Sequence, residues 1–192
     1  LYNLQFGANL ISFPSQDPVG VGEAIPDDVE DKFLGVIGQG VAASPNPILG
    51  WVGSLSQFEG GKGYWAKVDQ AVSFYFNTES ASLRVNPEVD SKPYVQSTEQ
   101  AFYFIENIDV EGLEGLENGN MIKAYNDNIL VGQREWNGSI IDIPAMGNDG
   151  TLATAGYCEH GDDIRLTITL NDGIEYNLNI RIINDYNEFS RG

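Results

Sequence analysis

Asp142, Asn148, Asp149, Asp162 and Asp163 place hard oxygen donors close to the glycine bends Gly147–Gly150 and Gly161. Calcium takes roughly six to eight such oxygens, often from a glycine-bent loop and a neighbouring segment. Asp142, Asp149, Asp162 and Asp163 are therefore the candidate metal ligands, with calcium as the ion, and no other cofactor is expected. Their spacing matches no EF-hand loop. The plainer reading makes them turn formers bonded to their own backbone. If the carboxylates converge, a divalent cation relieves their repulsion. If they diverge, water and salt screen them separately, and divergence is the expectation.

A second constellation is aromatic. Trp51, Tyr64, Trp136 and Tyr157, with Trp65, lie in glycine-flanked runs and could stack on a sugar ring. Tyr64 and Trp65 are adjacent, so in a strand one faces inward and the other outward. The plainer reading makes such rings core residues that the glycines allow to pack closely. On that reading Trp51 and Trp65 are expected to be mostly buried.

The remaining motifs carry little chemistry. His160 is the single histidine and Cys158 the single cysteine. Two residues apart, they make a thin metal pair, and no G-x-S-x-G elbow accompanies the histidine for a hydrolytic triad. Gly38-Gln39-Gly40-Val41-Ala42-Ala43 fits a loose dinucleotide pattern, but Ser44-Pro45-Asn46-Pro47 follows and forbids the helix such a site needs. Gly60-Gly61-Lys62-Gly63 lacks the spacing of a P-loop. The chain is read as not being an enzyme.

The elements that must position these residues are mainly strands. In the first half, Asn9–Pro14, Gly50–Gly53, Gly63–Val68 and Val72–Phe76 read as strands, with Phe74 and Phe76 on one face and Ser73 and Tyr75 on the other. Pro26–Leu34 reads as a short helix, with proline and acidic residues at its start, broken by Gly35 and Gly38. In the second half, Ala101–Ile108, Met121–Tyr125, Ile129–Arg134, Ile164–Leu170 and Ile174–Ile183 read as strands. Asn126-Asp127-Asn128 and Asn171-Asp172-Gly173 are the hairpin signals, the latter suited to a type I′ turn. Two prolines in 85–95 mark a boundary near Asp90. The fold expected is mainly β, two β-rich modules in tandem: residues 1–88 with one short helix, and residues 93–192 as a β-sandwich or barrel.

Composition narrows the partners. The 192 residues carry a formal charge of -18, with 11 acidic and 5 basic residues in 1–92 and 17 and 5 in 93–192. That field repels nucleic-acid phosphates and anionic membranes. No stretch approaches the ~20 apolar residues of a membrane span. One cysteine permits no intrachain disulfide. A start at Leu1, directly in a strand-like run, fits a processed precursor or a fragment of a longer polypeptide.

Two sets of segments carry a resemblance. Asn9–Pro14, Ile37–Ala43, Gly50–Leu55 and Gly61–Trp65 make one set. Gln100–Tyr103, Ala124–Arg134, the loop Asp142–Gly150 and Thr154–Asp162 make the other. Together they resemble tandem β-modules of large secreted or surface proteins of marine bacteria, and of structural fibre or decoration proteins of marine tailed phages. The resemblance implies an extracellular, cell-surface or virion-surface role without catalysis. The function expected is that of a structural or adhesive module, acting through display and contacts with other copies of itself, with neighbouring surface or virion proteins, or with a host surface. The alternative is a carbohydrate-binding module assisted by calcium.

Overall fold

The computed structural model describes residues 1–78, 92–109, 116 and 118–181. In the first half, glycine-punctuated runs with two-residue alternation form β1 (Tyr2–Leu4), β2 (Gly7–Ser12), β3 (Val19–Gly20), β4 (Phe33–Ile37), β5 (Ala42–Asn46), β6 (Gly50–Gly53), β7 (Gln57–Phe58), β8 (Gly63–Val68) and β9 (Val72–Phe74). Five of them build one antiparallel sheet in the order β2-β8-β4-β5-β6, and β1-β9 and β3-β7 make two small pairs. β8 shows the logic of alternation: Tyr64, Ala66 and Val68 are buried, while Trp65 and Lys67 face away from the core. Phe74 and Phe76 are likewise buried and Tyr75 exposed. Phe76 joins several buried rings, its centroid 5.0–5.1 Å from those of Phe13, Phe58 and Phe74 in edge-to-face geometry. Each such ring pair adds about 0.5–1.5 kcal/mol beyond the area buried.

The expected helix over Pro26–Leu34 shrinks to a single turn, α2 (Asp27–Glu30), preceded by another, α1 (Val21–Ala24). Phe33 instead opens β4, where Phe33 and Val36 are buried and the backbone pairs with β8 from Val68 to Trp65. A ladder against a central strand plus two buried side chains outweighs the weak propensity of an isolated helical turn. Gly35 is therefore a strand residue and not a helix breaker.

The second half contains β10 (Gln100–Ile105), β11 (Met121–Asn126), β12 (Ile129–Glu135), β13 (Ile141–Met146), β14 (Arg165–Thr169) and β15 (Glu175–Asn177), with a 3-10 turn at Leu152–Thr154. The strands form a four-stranded sheet, β12-β11-β14-β15, and the pair β10-β13. Among the described residues, neither these nor the sheets of the first half close into a barrel; the chain is mainly β with short helices and sandwich-like in character. The Asn171–Gly173 hairpin forms, but Gly173 alone has positive φ (86°). A type I′ turn needs two such residues, so the expected turn type is corrected. The expected strand Ile174–Ile183 is regular only over Glu175–Asn177, and residues 182–183 lie outside the described residues.

The largest departure is β13. Asp142–Gly150 reads as a loop, yet Ile141–Met146 is a strand buried at every position. Pro144 argues against a strand because it donates no ladder hydrogen bond. β13 pairs only with β10, so one of its edges needs no ladder donor, and proline is tolerated there.

Buried apolar residues fall into two clusters, one running from Leu4 to Phe76 and the other from Tyr94 to Ile168. The boundary expected near Asp90 lies outside the described residues.

Candidate functional site

Asp142 is the one wholly buried carboxylate among the described residues, and it sits where the two halves meet. β13 carries it out of the second half toward the turn that follows β6. There it accepts a short hydrogen bond from the Ser54 backbone N–H and another from the Ser54 hydroxyl at 2.9 Å. From its own half, Arg134 on β12 donates through Nη2 to the Asp142 carboxylate at 3.0 Å and through Nε to the Asp142 carbonyl at 3.1 Å. The same Nη2 reaches across to the Gly40 carbonyl at 2.9 Å. Burial pushes the Asp142 pKa above the ordinary aspartate value, while the Arg134 charge and the two bonds from Ser54 oppose that rise.

Gln100 makes a second crossing beside the first. Its amide nitrogen donates to the Gly38 carbonyl at 3.0 Å, and its amide oxygen accepts from the Gly40 N–H at 3.2 Å. A side-chain amide thus pairs with a turn as a strand would pair with a strand. Two glycines make these crossings fit. At Gly40 (φ 70°) a Cβ would stand 2.4 Å from the Gln96 amide oxygen. At Gly53 (φ 120°) it would stand 2.3 Å from the Ala42 carbonyl oxygen and 3.1 Å from the Phe104 ring. Both have the left-handed backbone that favours glycine; at Gly53 the close contact is also backbone, whereas at Gly40 it is the end of a side chain that can turn away.

The four candidate metal ligands do not converge. Asp142 is committed to Arg134 and Ser54. Asp149 accepts from the Thr151 N–H (3.1 Å), the Thr151 hydroxyl (2.8 Å) and the Thr154 hydroxyl (2.6 Å). Those bonds, Thr154 first, lower its pKa to about 2. Asp162 accepts from the Glu159 N–H at 2.9 Å and the Asn126 amide at 3.2 Å, and Asp163 is exposed. No group of three or more His, Cys, Asp or Glu side chains suited to a metal occurs among the described residues. Cys158 is half-buried, and burial pushes its thiol up to about 11; His160 is exposed.

The candidate aromatics form no common platform. Tyr64, Trp136 and Tyr157 are buried. The Tyr64 hydroxyl accepts from the Glu59 N–H at 2.7 Å and the Tyr157 hydroxyl from the Val95 N–H at 2.8 Å, so both serve as internal props. Trp51 is half-buried, its indole N–H bonded to Glu30 and its ring set edge-on to Phe33 at 6.2 Å. The expectation that Trp65 is buried is corrected: the alternation of β8 spends its inward position on Tyr64 and leaves the indole 48% exposed, opposite the exposed Leu10.

Ser54, Arg134 and Gln100 were not among the candidate site residues. A signal for them exists, since each of Gly38, Gly40, Ser54, Gln100, Arg134 and Asp142 falls inside one of the segments on which the resemblance rests. Among known proteins, no family model, no curated protein and no solved structure matches this chain. No helix among the described residues is long and apolar enough to cross a membrane.

Proposed function

We propose that the chain is a non-catalytic structural or adhesive unit of a cell-surface, extracellular or virion-surface assembly. It holds two β-modules in one fixed relation and presents their outer faces to copies of itself, to neighbouring proteins of the assembly or to a host surface. The observation that carries this reading is the buried crossing of Asp142, Arg134 and Ser54. A carboxylate and a guanidinium taken out of water are costly unless their geometry and hydrogen bonds are satisfied together. Here the bonds are completed only when the Ser54 and Gly40 backbones of the first half are in place. Such an arrangement rewards one docking of the two halves over neighbouring ones, which is what a display element needs. The strongly acidic surface fits repeated presentation in solution without collapse onto nucleic acid.

Two measurements test the proposal. Amide 15N relaxation should give both halves one rotational correlation time, and separate values would end the fixed-display reading. Gold-labelled antibody against the chain should mark the outside of intact cells or particles of the source. Labelling confined to the cell interior would overturn the surface role.

A further inference from the structure

The outer face of the β12-β11-β14-β15 sheet carries an open groove of about 420 Å3, lined by Tyr125, Asn128, Arg165, Thr167, Glu175 and Asn177. Strand alternation assembles it. Ala124, Leu166 and Ile168 point into the core. Their neighbours Tyr125 and Arg165 face each other across β11 and β14, and Thr167 faces Asn177 across β14 and β15.

The lining is organised as a set of fixed donors and acceptors. Arg165 lies over the Tyr125 ring, its guanidinium carbon 4.5 Å from the ring centroid. Among the described residues it bonds at 3.3 Å to the Asn177 amide oxygen and at 3.3 Å to the Asp127 carbonyl. A guanidinium has five N–H donors, so donors remain for a ligand. Glu175 is held by the Thr167 hydroxyl at 2.6 Å and by the Tyr125 hydroxyl, with Lys123 3.8 Å from its other oxygen. A carboxylate accepts about four hydrogen bonds, so acceptor positions also remain. Asn128 and Asn177 supply amides, while Tyr176, the cross-strand partner of Ile168, turns its ring to the opposite face.

An anion meets Glu175 and the field of a chain of charge -18. A cation meets Arg165 and Lys123. A purely apolar ligand would strand the polar lining. A neutral polyhydroxyl ring meets none of these obstacles, since its hydroxyls satisfy both the donors and the acceptors. We propose that this groove binds the end of a short neutral carbohydrate, with Glu175, Arg165 and the two asparagines reading hydroxyls beside the Tyr125 ring. The groove lies within one sheet of the second half, so this proposal does not depend on the fixed pairing of modules.

Saturation-transfer NMR on the full chain tests it, with methyl glucoside, methyl galactoside and methyl mannoside as probes and glucuronic acid as the acidic control. At least one neutral glycoside should show saturable transfer and shift the amides of Tyr125, Arg165 and Asn177. Glu175→Ala should weaken its Kd about tenfold, as loss of a charged hydrogen-bond acceptor does, while Asp28→Ala leaves it unchanged. If Glu175→Ala fails to fold, Asn177→Ala on the exposed β15 takes its place, with the same weakening expected. No transfer from any of the three neutral probes at millimolar concentration would overturn the proposal. So would shifts confined to other residues, tighter binding of glucuronic acid, or unchanged affinity in the folded groove variant.

Discussion

Removing the Asp142 carboxylate should do more than weaken the chain: it should uncouple its halves. Asp142 is fully buried and the Arg134 side chain only 15% exposed. In Asp142→Ala the guanidinium loses its only carboxylate partner among the described residues and keeps two backbone carbonyls, while Ser54 loses the acceptor of both its bonds. Breaking a buried pair from one side typically costs about 3–5 kcal/mol. With a urea m-value of about 2 kcal/mol/M, a loss of about 4 kcal/mol lowers the unfolding midpoint by about 2 M. Unfolding followed separately by amide resonances of each half should pass from a shared transition in the parent chain to two distinct ones in the variant. The double variant Arg134→Met with Asp142→Leu removes both charges and should cost far less than the sum of Arg134→Met and Asp142→Leu made singly. The reasoning fails if Asp142→Ala shifts the midpoint by less than about 0.5 M, or if the two single losses simply add.

Three further outcomes follow from the same geometry. Tyr64→Ala empties a core position and should cost about 3–5 kcal/mol, whereas Trp65→Ala on the outer face should cost about 1 kcal/mol, as urea midpoints will show. Asp149, with a folded pKa of about 2 against an ordinary value of 3.8, binds fewer protons folded than unfolded. Its contribution is therefore present above pH ~4 and lost as pH falls toward 2. Asp149→Asn should flatten the acid limb of stability measured by urea titration across that range. Asp142, whose pKa is raised, acts in the opposite direction: its own titration makes stability rise as pH falls toward 3.8. The Cys158 thiol, pushed up to about 11 by burial, should react with a chromogenic disulfide at pH 8 far more slowly than in denaturant; equal rates would contradict its placement.

Local pattern alone determined much of this protein. The alternation in Gly63–Val68, the pairing of Phe74 with Phe76 on one face, and the turn residues at 126–128 and 171–173 place strands and hairpins, because a strand has a period of two and a turn needs particular backbone angles. The bonds of Asp149 to Thr151 and Thr154 were also legible, since an Asp beside a glycine bend bonds its own loop. Other features needed the tertiary structure. Phe33 reads as helical until β8 offers it a ladder. Asp142–Gly150 reads as a loop, and the sequence does not say that Ile141–Met146 finds a partner strand with an edge left free for Pro144. Trp65 and Tyr64 have the same local claim to the core, and only the sheet's orientation chooses between them. Asp142 is the clearest case. A few residues from the Gly147–Gly150 bend it looks like a metal ligand, but its environment is completed by Ser54, 88 residues away. Period and turn chemistry act over a few residues and are written in the chain. The burial of a charge, and the partner that makes it tolerable, arise only when distant segments close on each other.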